Sequence, residues 1–214
     1  MKIKICGMKF PDNIEEVAQL KSEYLGFIFY EKSPRNFTGQ IPEISDDIKK
    51  TGVFVNTTLD SISAKVEEYN FKAVQLHGGE SPEFCRRLKL ALPNHIELIK
   101  VFSILETIDF NVLKDYEGIV DYFLFDTKGK NKGGNGFAFN WEILRNYPSF
   151  TPFFLSGGIG IEEFSKIEEF KQHLNETGKG HLLYAVDINS KFETEPGRKD
   201  AELLEIFRQK IAAL

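Results

Sequence analysis

The sequence predicts a (β/α)8 TIM barrel, one domain spanning residues 1–214. Eight short runs rich in β-branched and aromatic residues recur along the 214-residue chain. Most are continuously apolar rather than alternating, as strands covered on both faces are, and charged amphipathic stretches separate them. A doubly wound sheet of this length usually carries fewer strands, and no Pro/Ser-rich linker or break in composition divides the chain.

In order, IKIC at 3–6 opens the sheet and amphipathic DNIEEVAQLK follows it. YLGFIFY at 24–30 is the second strand, with no clear helix after it. GVFV at 52–55 precedes TLDSISAKVEEYN, and AVQLH at 73–77 precedes SPEFCRRLKLAL, with Thr and Ser placed to cap these helices. ELIKVF at 97–102 and IVDYFLFD at 119–126 are strands five and six. Neither is followed by a clear helix, and Gly133, Gly134 and Gly136 predict an extended loop. PFFLS at 152–156 leads into IEEFSKIEEFKQHL, LLYAVDI at 182–188 is the last strand, and RKDAELLEIFRQKIAAL closes the chain as a helix.

Composition removes several classes of function. Lys plus Arg total 27 against 32 Asp plus Glu, a net charge of -5, and no basic block follows a phosphate backbone, so nucleic acid is not an expected partner. Met1 runs straight into KIKICG with no leader pattern, and no apolar run approaches the roughly 20 residues that span a bilayer. A cytoplasmic protein with no membrane contact is expected. Two cysteines, Cys6 and Cys85, exclude a disulfide framework and a paired-CxxC metal site. Without HExxH, an EF-hand loop, GxGxxG or Walker spacing, neither a metal nor a nucleotide cofactor is expected.

In a barrel of this kind chemistry belongs at the C-terminal ends of the strands. Those ends carry Cys6-Gly7, Ser33-Pro34-Arg35, Asn56, His77-Gly78, Asp126-Thr127-Lys128, Ser156-Gly157-Gly158 and Asp187-Ile188-Asn189-Ser190. Cys6 is a usable base as its thiolate, although a lone Cys in an apolar strand is more often a small buried hydrophobe. Asp126 ends an apolar run, where a desolvated carboxyl can act as a general acid, or where it can pair with Lys128 or Lys130. Arg35 offers a planar fork for a carboxylate or phosphate. His77 is a donor, a base or a structural histidine; His95, His173 and His181 lie away from the strand ends. SGGIG before a helix is a turn whose amides bind phosphate, beside the loop after strand eight. A phosphorylated small molecule is therefore the expected ligand.

Taken together, KICG at 4–7, GFIFYEKSPR at 26–35, GVFVN at 52–56, VQLHG at 74–78, FDTKG at 125–129, GGNGFAFNW at 133–141, LSGGI at 155–159 and DINSKFETEPGRKD at 187–200 strongly resemble the phosphoribosylanthranilate isomerase family of tryptophan biosynthesis. The resemblance runs from end to end. It implies a cofactor-free Amadori rearrangement with Cys6 as general base and Asp126 as general acid. It further implies Arg35 at the anthranilate carboxylate, His77 in support, and phosphate on Gly157, Gly158 and the loop holding Asp187, Asn189, Ser190 and Lys191. Lys191 stands where the family commonly has Gly, Phe137 and Ala138 where polar residues are usual, and Lys9 where Thr is common. Lys191 is expected to lie at negative φ with its ammonium toward the phosphate.

Indole-glycerol-phosphate synthase would require catalytic Lys and Glu at inner strand ends, and a pentose-phosphate epimerase a metal-binding His and Asp set; neither constellation is evident. A barrel that binds a phosphorylated metabolite without turnover is opposed by the Cys6/Asp126 pair, and a turnover assay separates the two. Sequence is silent on oligomeric state, with a homodimer allowed.

Overall fold

A computed structural model describes residues 1–127 and 140–214. The glycines at 133, 134 and 136, the Phe137 and Ala138 departures, and Lys128 and Lys130 lie outside the described residues. Eight parallel strands close into a barrel: β1 Lys2–Cys6, β2 Tyr24–Phe29, β3 Lys49–Phe54, β4 Ala73–Leu76, β5 Glu97–Ile104, β6 Tyr122–Thr127, β7 Phe153–Leu155 and β8 Leu183–Ile188. Each run singled out in the sequence supplies one of them. Strand β1 pairs with both β2 and β8, which closes the sheet and removes its edges.

Among the described residues five α-helices pack outside: α1 Pro11–Ala18, α2 Leu59–Tyr69, α3 Pro82–Ala91, α4 Phe164–Glu176 and α5 Ala201–Ala212. Thr58, Ser81 and Asp200 cap α2, α3 and α5 by accepting from the amides of Ser61, Phe84 and Leu203, satisfying donors the first turn cannot pair. As the sequence indicates, the segments after β2, β5 and β6 form no α-helix among the described residues; single 3-10 turns, Phe110–Leu113 and Trp141–Asn146, follow β5 and β6. After β2, Pro34 and Pro42 remove donors that a helix would use, and Phe37 seals the wall instead, edge-on to Phe27 at 5.1 Å between ring centres. The sequence reading missed a short hairpin, β9 Glu193–Glu195 with β10 Arg198–Lys199, turned at Pro196-Gly197 between β8 and α5.

Alternation along each strand sends one set of side chains to the helices and the other into the barrel. Tyr24, Ala73, Ile99, Val101, Leu124, Phe154 and Ala185 form the inner core. At its lower end Tyr122 stacks on Tyr184 with ring centres 4.4 Å apart, and Phe154 meets Tyr24 and Tyr122 edge-on, at 5.4 Å from each. A Lys49–Glu97 ion pair of 2.5 Å and a Lys2 to Tyr184 hydrogen bond of 2.6 Å complete this floor. No helix among the described residues is long and apolar enough to cross a membrane.

Candidate active site

One pocket at the C-terminal ends of the strands brings together all ten residues that the sequence singled out for the site. Cys6 ends β1 opposite Gly26 of β2, and its side chain lies in the pocket wall, 4% exposed. The thiol is thus both buried and beside the cavity. Burial pushes it up from its ordinary value, while Lys4 pulls the other way.

Lys4 is a site residue that sequence reasoning passed over. Two positions before Cys6 and on the same inward face, it is fully buried, with its Nζ 2.7 Å from Asp187 Oδ1. Burial alone lowers a lysine, but Asp187 and Cys6 outweigh it here and hold the ammonium above its usual range. The signal was present: KIKIC alternates, and a lysine on the inward face of a barrel strand needs a reason. Asp187, read from the sequence as part of a phosphate loop, has its carboxylate committed to Lys4, with Ser156 Oγ donating to it at 3.4 Å.

Asp126 is the penultimate residue of β6, with the Thr127 amide donating to its Oδ1 at 2.9 Å and His77 Nε2 lying 3.4 Å from its Oδ2. Its alternative partners Lys128 and Lys130 are outside the described residues. Gln75 Nε2 is 3.1 Å from His77 Nδ1; with the amide donating, Nδ1 accepts and the ring proton sits on Nε2, toward Asp126. Gln75 Oε1 is then buried without a partner. Gln75, in the middle of the apolar run AVQLH, also escaped sequence reasoning.

Arg35 reaches the pocket but is not a free fork. Its Nε and Nη2 donate to Glu193 at 2.9 and 2.6 Å, while Nη1 has no hydrogen-bond partner among the described residues. Glu193 also accepts from Lys199 Nζ at 2.7 Å and from the Gly197 amide at 3.1 Å. Burial of Glu193 is outweighed by Arg35 and Lys199, which hold its carboxyl below the ordinary range. Lys199, wholly buried, is lowered to about 8, and it also donates to Asn189 Oδ1 at 2.7 Å. The hairpin β9–β10 therefore ties the arginine to the loop after β8. Gly7, at φ +81°, permits the crossing: a Cβ there would lie 2.8 Å from both Arg35 Cδ and Asn189 Oδ1.

Across the pocket Gly157 and Gly158 both take positive φ, +88° and +69°, and neither amide donates to another described residue. Successive amides in such a turn form an anion-binding concavity. The Gly160 amide is already taken, by Glu163 Oε2 at 2.8 Å. Ser190 and Lys191 face this turn from a 3-10 turn after β8. Lys191 lies outside the left-handed region, as expected, and its exposed ammonium has no ion-pair or hydrogen-bond partner among the described residues. Among the described residues no group of His, Cys, Asp or Glu is arranged to hold a metal ion.

Residues 3–210 match the family model described as N-(5'phosphoribosyl)anthranilate (PRA) isomerase. An N-(5'-phosphoribosyl)anthranilate isomerase of Parabacteroides distasonis is 45% identical, over 99% of this chain and 93% of that protein. One of Phocaeicola vulgatus is 40% identical, over 97% and 96%. Among solved structures, one described as monomers made from a dimeric phosphoribosylanthranilate isomerase of Thermotoga maritima superposes with a TM-score of 0.75 at 25% identity, covering 100% of both chains. A phosphoribosylanthranilate isomerase complexed with reduced 1-(o-carboxyphenylamino)-1-deoxyribulose 5-phosphate gives 0.72 at 25% identity, again over 100% of both.

Proposed function

Given that the chain belongs to the N-(5'-phosphoribosyl)anthranilate isomerase family, we propose that Cys6 is the general base and Asp126 the general acid of its reaction. The enzyme is an isomerase of tryptophan biosynthesis, converting N-(5'-phosphoribosyl)anthranilate to 1-(2-carboxyphenylamino)-1-deoxyribulose 5-phosphate. The observation that carries the assignment is the placement of Cys6 on β1 and Asp126 on β6 at one pocket, with β7 and β8 between their strands, so that the two flank a bound sugar.

The chemistry needs both groups. Asp126 gives a proton to the ribose ring oxygen as the bond from that oxygen to C1 breaks, and the anilino nitrogen and C1 become a protonated Schiff base. Cys6, as thiolate, takes the C2 proton, leaving an enolamine. Protonation at C1 and loss of the C2 hydroxyl proton give the ketone. His77, oriented by Gln75, keeps a donor toward Asp126 and supports its orientation. Arg35 Nη1 meets the anthranilate carboxylate with the guanidinium held in plane by Glu193. Phosphate rests on the amides of Gly157, Gly158 and Ser190, with backbone groups of the loop from Asp187 to Lys191 around it and the Lys191 ammonium as its counter-charge. The scheme asks for no cofactor.

This reading puts the reaction in the cytoplasm and allows a second copy of the chain as partner; cell fractionation and sedimentation equilibrium measure the two. The assignment of acid and base is tested by turnover of freshly made phosphoribosylanthranilate, followed by loss of its fluorescence. Cys6→Ser and Asp126→Asn should each lower kcat by about 10²-fold or more, with much smaller effects on KM, and Cys85→Ser should leave kcat close to wild type. Wild-type kcat in Cys6→Ser would remove the thiol from the mechanism.

A further inference from the structure

Cys6 presents a difficulty that the reaction must solve. A buried thiol resists ionisation, yet the proposed base is the thiolate. The charged groups around it are few: Lys4 beneath it on β1, Asp187 on β8, Arg35 after β2, and Lys199 and Glu193 of the hairpin, with His77 and Asp126 across the pocket. Glu193 is shared by Arg35 and Lys199, so the hairpin cluster keeps one positive charge in excess, and Lys199 acts on the thiol as well. Lys4 is the cation that acts on it most strongly, and its counter-charge is Asp187.

Geometry directs that cation at the sulfur. Gly26 is the β2 residue paired with Cys6, and a Cβ built on it would lie 3.0 Å from Cys6 Sγ and 3.2 Å from Lys4 Nζ. Ammonium and thiol thus converge on the space that the missing methyl leaves open. Packing does not account for the pair: apolar side chains would fill the same volume without desolvating two charges. Nor does Lys4 touch the pocket.

We propose that Lys4 is a positioning residue for the general base, holding the Cys6 sulfur as thiolate through the space left by Gly26, and that Asp187 sets how much of the ammonium's field the sulfur receives. The proposal rests on the reading of Cys6 as base. When the thiolate takes the C2 proton, the new sulfur–hydrogen bond replaces the carbon–hydrogen bond broken in the substrate. Lys4 keeps its three protons throughout, because Asp187 still holds it once the sulfur is neutral.

The two partners of Lys4 give the proposal opposite signs to test. In a Cys85→Ser background Cys6 is the one thiol of the chain, and its ionisation is read by thiolate ultraviolet absorbance and iodoacetamide alkylation against pH. Lys4→Met should move that titration upward, leaving about tenfold less thiolate at neutral pH, and should shift the acid limb of the kcat/KM profile the same way. Asp187→Asn should move it downward. Should Lys4→Met fail to fold, Lys4→Gln and Lys4→Arg take its place, the first moving the titration upward and the second, which keeps the charge, leaving it near wild type. A titration unmoved by loss of either charge, or moved in the same direction by both losses, overturns the proposal. Because the readout is ionisation rather than turnover, it is independent of the Cys6→Ser result that tests the base itself.

Discussion

Glu193 holds the guanidinium of Arg35 from behind, accepting from Nε at 2.9 Å and from Nη2 at 2.6 Å. Bidentate pairing fixes the plane of the guanidinium as well as its position, so Arg35 lines the pocket at a set angle. A charge-assisted hydrogen bond of this sort is worth about 2 kcal/mol, roughly 30-fold in affinity. Arg35→Ala should therefore weaken carboxylate-bearing product analogues by about that factor and leave ribose 5-phosphate binding unchanged, measured by titration calorimetry. Equal weakening of both ligands would place Arg35 on the phosphate instead.

At the phosphate turn, a Cβ on Gly157 would come within 2.6 Å of the Thr127 backbone nitrogen, and the residue also sits at positive φ. Gly157→Ala should abolish measurable binding of phosphorylated ligands and lower thermal stability. Lys191→Ala should weaken the same ligands several-fold, and the difference from wild type should shrink as salt rises. Since the Lys191 backbone is not left-handed, Lys191→Gly relieves no strain. It should cost about 0.5–1 kcal/mol through added freedom of the unfolded chain, seen as a lower urea midpoint.

Lys199 titrates at about 8 in the folded chain against roughly 10.4 when unfolded. Between those values the unfolded chain binds more protons at this site than the folded one, so the contribution of Lys199 to stability rises with pH across that window. The full difference is on the order of 3 kcal/mol. Urea denaturation from pH 8 to 10.5 should show wild type gaining on Lys199→Met; a flat difference would mean the buried lysine titrates normally.

Activity should survive exhaustive chelation, because an acid and a base suffice for the proton movements proposed. Recovery of a chelated, inactive preparation on adding Zn2+ or Mg2+ would contradict that scheme.

The strands were legible because a parallel barrel strand buries both faces and writes itself as a continuous apolar run. Cys6, His77 and Asp126 were legible because they close such runs. What escaped was charge inside them. Lys4 and Gln75 interrupt apolar strands at alternate positions, and the pull of hydrophobic neighbours hid the period of two that marks them as inward-facing. Arg35 was found while Glu193 and Lys199, which hold it, were not: 158 residues separate Arg35 from Glu193, and only the closed barrel brings them together. Lys191 was readable as a departure, and its negative φ followed from its side chain.

The floor of stacked Tyr122 and Tyr184, sealed by Lys49 and Glu97, makes the barrel a well rather than a passage. Among the described residues the pocket opens at the C-terminal ends of the strands, so substrate and product occupy the same space in turn. Product therefore competes with substrate for the same seat, and turnover depends on how readily that seat is vacated.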